Sequence, residues 1–197
     1  KIEGDLERFG RPDLKMEKSV SLDILEDLSN AFEEKGIPSI FMNYSIGESY
    51  KAKVEIDHGA FVPLYYIDKQ WSDYEIVHIT IGMLSPIEMY ELGKTIGEVL
   101  ETAAYETIVL ASGDMSHCLK EEGPYSYHPM GKVFDEKIVR AIEMGDARAI
   151  INMRKNVYEP AGECGLRPFA MGLGIFDGFE LKSRVFSYEG PFGVGYM

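Results

Sequence analysis

The sequence is poor in cysteine, histidine, tryptophan and positive charge. Two cysteines, Cys118 and Cys164, are too few for a disulfide framework, so a reducing cytoplasm is the expected compartment. Twenty basic residues stand against 33 acidic ones, a net charge of -13. That imbalance argues against nucleic acid or an anionic membrane as partner, because both need a positive field. No apolar run approaches the ~18 residues of a membrane span. The chain carries no Walker loop, no Gly-x-Gly-x-x-Gly and no Cys-x-x-Cys, which removes phosphate-cradle, dinucleotide and dithiol chemistry. It shows no internal repeat, low-complexity tract or interdomain linker. What is present is ordinary for a folded domain: 197 residues, 45% hydrophobic and 27% charged. A chain of this size buries roughly 70% of its unfolded surface and needs no staple to fold.

Local patterns predict alternating helices and strands. Apolar residues from Val20 to Phe32 follow helical spacing, and Gly36 is a suitable stop. Ile37–Met42 reads as a short strand. Asp57 can cap a helix through Ile67, with Pro63 tolerable only in its first turns or as the mark of a kink. Glu75–Met83 and Thr107–Ala111 read as strands buried on both faces, with a helix from Pro86 to about Glu101 between them. Further helices are expected over Phe134–Gly145, Ala147–Met153 and Ala161–Phe176, and an edge strand over Leu181–Tyr188. Lys1–Lys18 shows no clear periodicity. This alternation predicts an α/β layered domain with a mainly parallel sheet.

The stretch Ser112–Gly131 is long, rich in glycine and proline, and holds two of the four histidines. A loop of that length inside a compact domain is usually functional. His117 follows a predicted strand, where ligands bind in open α/β sheets, and a histidine can move a proton near neutral pH. The competing reading is a loop histidine bonded to nearby backbone. Asp57 and His58 begin a helix, where an anionic oxygen could bind, but Asp57 as a plain cap explains the pair more simply. Glu163, among small residues, could hold a metal or pair with Arg167 one turn on. His78 reads as a core histidine, and His128 as lining a pocket mouth. Cys118 beside His117 suggests a thiol nucleophile, with no third group to orient it.

Three ordered segments carry a resemblance: Asp57-His58-Gly59-Ala60-Phe61-Val62-Pro63-Leu64-Tyr65-Tyr66, Ala111-Ser112-Gly113-Asp114-Met115-Ser116-His117 and Ala161-Gly162-Glu163-Cys164-Gly165-Leu166-Arg167. Together they resemble the catalytic subunit family of class III extradiol ring-cleavage dioxygenases, the protocatechuate 4,5-dioxygenase type, with the Memo-related branch closest. The resemblance runs to Pro191-Phe192-Gly193-Val194-Gly195-Tyr196. It implies a single domain over residues 1–197 that lacks the family's N-terminal part. It also implies a three-layer α/β/α sandwich around a central mainly parallel or mixed sheet. The implied cofactor is non-haem Fe(II), held by two histidines and a glutamate. Open positions on that ion let a catechol-type diol and O2 bind side by side. By motif, Glu163 would be the carboxylate ligand, His117 the acid/base and His58 a catalytic neighbour, with Asp114 and His128 binding substrate. None of His58, His78, His117 or His128 aligns with the family's two histidine ligands, so the iron set in this sequence is incomplete. The family often forms homo-oligomers. The alternative implied by the Memo branch is a non-catalytic scaffold or binding protein associated with a radical-SAM system.

Overall fold

Residues 1–123 and 125–197 are described by a computed structural model, in which the chain divides into two units, Lys1–Thr80 and Ile81–Met197. The first unit opens with a hairpin. Strands β1 (Ile2–Leu6) and β2 (Arg11–Lys18) pair antiparallel, from Ile2 opposite Lys18 to Leu6 opposite Arg11, and turn at Gly10 with φ 75°. Ile2, Gly4 and Leu6 alternate inward with Glu3 and Asp5 outward, the period of a strand with one covered face. Lys18 is buried at the end of β2. It pairs with Asp68, which also accepts from the Tyr74 hydroxyl, and lies over the Tyr74 ring, so its charge is compensated. Helices α1 (Leu22–Glu34), α2 (Tyr44–Tyr50) and α3 (His58–Ile67) follow. Met16, Ile56, Phe61 and Leu64 form this unit's core.

The second unit is helical: α4 (Pro86–Thr102), α5 (Pro129–Glu143), α6 (Ala147–Ile151), α7 (Lys155–Ala161) and α8 (Leu166–Ile175). Helix α4 starts on a reciprocal cap, in which Ser85 Oγ accepts from the Glu88 N–H and Glu88 Oε2 accepts from the Ser85 N–H. Such a cap is worth about 1 kcal/mol, and Pro86 supplies a helical φ at the first position. Helices α4 and α8 meet backbone to backbone. A Cβ on Gly93 would lie 2.1 Å from the Met171 carbonyl oxygen, and one on Gly174 would lie 2.0 Å from that of Tyr90. Phe134, Ile138, Ile150, Val157, Ala161 and Leu166 pack with Met115 into the core beneath the long loop.

The α/β/α sandwich expected from the sequence is not what the chain forms. Among the described residues the one sheet is the β1–β2 pair, and the rest of the regular structure is helical. Ile37–Met42, Glu75–Met83, Thr107–Ala111 and Leu181–Tyr188 form no ladder. Isolated bridges remain, Val20 with Ile76 in parallel and Glu189 with Tyr196 antiparallel. The reason is physical: an apolar β-branched run reports a segment suited to burial, whereas a strand exists only through a partner. Ile108, Leu110 and Phe186 are accordingly exposed rather than layered. The hairpin runs the other way, regular structure where no periodicity was expected. No helix is long and apolar enough to cross a membrane.

Candidate functional site

The loop after Ala111 is bound down on two sides. On one side, the Met115 N–H donates to the Gly195 carbonyl, the Gly195 N–H to that of Ser116, and the Leu119 N–H to that of Gly193, at 2.8–3.0 Å. On the other, the His117 N–H and the Ser116 hydroxyl both donate to the Ala161 carbonyl, at 3.1 and 2.8 Å. Gly113 and Gly165 let the two backbones touch: a Cβ on Gly113 would lie 2.5 Å from the Gly165 Cα. The small residues around Glu163 therefore admit neighbouring main chain.

This clamping brings three side chains together. Asp114 Oδ2 lies 3.5 Å from His117 Nε2, and Cys164 Sγ lies 3.9 Å from the same nitrogen. The Asp114 N–H donates to Cys164 Sγ at 3.1 Å. The His117 side chain is 16% exposed and that of Asp114 45%. Cys164 is exposed. The Tyr125 ring stacks on the His117 ring at 5.3 Å, with 16° between planes. The site is thus open on one side and backed by an aromatic face.

Glu163 is not part of this convergence. Its side chain, 2% exposed, accepts from the Leu166 N–H at 2.6 Å and lies 3.9 Å from Arg167 Nη1. There it satisfies a free N–H in the first turn of α8, where a carboxylate also meets the favourable end of the helix dipole. Burial holds its proton to higher pH than usual, offset by the Leu166 N–H and Arg167. Arg167 in turn donates to the Leu84 carbonyl at 2.7 Å, tying α8 to the residue before the α4 cap. His128 begins α5, its Nδ1 accepting from the Met130 N–H at 3.1 Å. The buried Cys118 thiol is pushed up by desolvation, the opposite of an activated nucleophile. Within the first unit, Asp57 caps α3 by accepting from the Ala60 N–H at 2.9 Å, and His58 packs against Phe9. His78 Nε2 lies 3.9 Å from Asp57 Oδ2. Asp57 and His58 also line a polar cavity of about 190 Å³ with Asp5, Arg8 and Lys53.

Two participants are not legible as site residues from the motifs. Asp135, fully buried, accepts from the Ser116 N–H at 2.8 Å and from the Tyr188 hydroxyl at 2.5 Å, so it anchors the residue next to His117. Burial raises its pKa, partly offset by those two donors. A signal for it exists, since Gly131, Phe134, Asp135 and Ile138 share one buried helix face and an aspartate there needs partners. Cys164 has no comparable signal, because its partners lie about 50 residues earlier in the chain.

An Fe(II) centre of two imidazoles and a carboxylate does not fit these residues. Among the described residues one group of three ligating side chains converges, Asp114, His117 and Cys164, with a single histidine.

The whole chain, residues 1–197, matches the family described as the catalytic LigB subunit of aromatic ring-opening dioxygenase. It is also 37% identical, over 195 residues, to Protein CA_C1420 of Clostridium acetobutylicum. That alignment covers 99% of this chain and 42% of the relative, so the chain spans less than half the relative's length. With the match running from end to end, the chain belongs to the LigB family of aromatic ring-opening dioxygenase subunits.

Proposed function

We propose that this chain supplies the proton-handling wall of an aromatic ring-opening site, acting on a catechol-type diol in the presence of O2. The observation that carries the reading is the placement of His117. Its backbone N–H is held by the Ala161 carbonyl and its ring stacks on Tyr125, while its Nε2 lies beside Asp114 and the exposed Cys164. A histidine so held can take a phenolic proton without reorganising, and the proton then faces a carboxylate. Tyr125 gives a planar substrate an aromatic edge to pack against. The geometry assigns no step to iron, because the described residues bring one histidine, not two, to the ligand cluster.

The test is O2 uptake by the protein in its full reading frame, after anaerobic Fe(II) reconstitution, with a panel of catechols. Turnover is expected with at least one diol, falling about 10²–10⁴-fold in His117→Ala. Unchanged turnover in that variant would remove the acid/base role. The Asp, His and Cys composition of the cluster favours a second reading, a Memo-like binding protein without ring-opening activity. That reading takes the lead if the reconstituted protein consumes no O2 with any diol.

A further inference from the structure

We propose that the groove between α5, α6 and α7 docks an acidic amphipathic helix of a separate protein. The proposal does not depend on ring opening, and the groove contains none of the residues around His117. It encloses about 620 Å³. Val133, Lys137, Arg140, Ala141 and Met144 line it at helical spacing, so they share one face of α5 through its C-cap. Met153 and Val157 line the other wall. From Val133 to Met144 is three turns of helix, about 16 Å, a span that suits a helical segment better than a small molecule. The helices forming the walls have bonded their own main-chain groups, so an extended segment finds no ladder here and recognition falls to side chains. Ala141 and Val157 are buried, whereas Met144 is 67% exposed. A flexible thioether in that position lets the surface repack around an incoming apolar side chain.

Charge selects the partner. The chain carries a net charge of -13, yet cations outnumber acids in this groove, with Lys137, Arg140 and Arg154 against Glu136 and Asp146. Among the described residues none of those three cations is in an ion pair. Both acids are already engaged. Glu136 lies 3.7 Å from Lys132 Nζ, and Asp146 caps α6 by accepting from the Ala149 N–H at 3.1 Å. Uncommitted cations on both walls of an apolar groove are complementary to carboxylates flanking an apolar stripe. A second copy of the chain is a poor occupant, because two molecules of that net charge repel.

The experiment titrates the whole chain with synthetic helical peptides of about four turns and follows its backbone amides by NMR. One set carries a stripe of Leu or Met flanked by Glu; the control set has Lys in place of every Glu. The Glu set should give saturable shifts at groove residues of α5–α7, and its dissociation constant should rise with salt. The Lys set should give none. Arg140→Glu combined with Arg154→Glu should weaken binding at least about 10-fold and flatten the salt dependence. Met144→Ser should weaken it about 5-fold or more through lost apolar contact. These positions are exposed, so the variants should keep the wild-type urea midpoint. Absence of shifts with the Glu set, equal binding of the Lys set, or unchanged affinity in the double variant would overturn the proposal. Shifts caused by acetate alone would make the groove a small-anion site, and oligomers dissolved by Arg140→Glu would give it to a second copy; either result also overturns it. O2 uptake is a separate readout, so failure of this groove and failure of the ring-opening reading are distinguishable.

Discussion

Asp135 governs the site without touching it. Its carboxyl holds the Ser116 N–H, and Ser116 precedes His117, so the histidine's position depends on a buried group behind the loop. The carboxyl ionises near 3.8 when exposed, and burial raises that value in the folded protein. Between the two values the native state binds more protons than the unfolded state, so stability falls as pH rises through that window and is flat above it. Asp135→Asn removes the titration while keeping an acceptor for Ser116. The urea midpoint of the variant should therefore decline less steeply than that of the wild type as pH rises above 3.8. The slope should become shallower without vanishing, because Glu163 is shifted in the same direction. An unchanged slope would show that another group titrates. At this scale the sequence was informative about polar residues in the loop: Asp114 and His117 stand three apart in a segment that looks functional, and they do meet. It was silent about Cys164 and Asp135, whose partners are fixed by folding rather than by spacing.

Among the elements, α4 and α8 depend on glycines at their crossing. In an isolated helix, Gly→Ala gains up to about 1 kcal/mol. At Gly174 the added Cβ would lie 2.0 Å from the Tyr90 carbonyl oxygen, a backbone atom that cannot rotate away. Overpacking of that kind costs roughly 1–3 kcal/mol, so Gly174→Ala should lower the urea midpoint, and a raised midpoint would refute the close crossing. Helix starts were legible because a cap is local. Asp57 and Ser85 both accept from the N–H three residues on, and α3 and α4 begin where Asp57 and Pro86 predict. Strands were not, because pairing is a property of two segments. Glu75–Met83 has the composition of a buried strand and only one bridging residue, Ile76. Lys1–Lys18 forms a hairpin although its outward positions are almost all charged and mask the alternation.

For the molecule as a whole, charge and apolar surface pull in opposite directions. A net charge of -13 keeps copies apart, while Ile108, Leu110, Met83 and Phe186 stand exposed on segments without ladder partners. Contiguous exposed apolar surface promotes association, and the repulsion that opposes it is screened within about 3 Å at 1 M salt. Light scattering should therefore show association increasing with salt. The increase should be smaller in Phe186→Ser and Ile108→Glu, which remove apolar surface and leave the net charge of -13 unchanged or one unit more negative. Scattering that falls with salt would mean that ion pairs, not apolar contacts, hold the copies together.

The manner in which the His117 loop is held has a consequence for how such a site can change. The strands of main chain around it are joined by N–H and carbonyl groups that every residue type but proline carries, and by the hidden carboxyl of Asp135. The side chains of Asp114 and His117 meet there without taking part in those main-chain bonds. The loop behaves as a socket with exchangeable pins. Swapping one of those side chains for another should therefore alter what is accepted there while the main-chain architecture stays put.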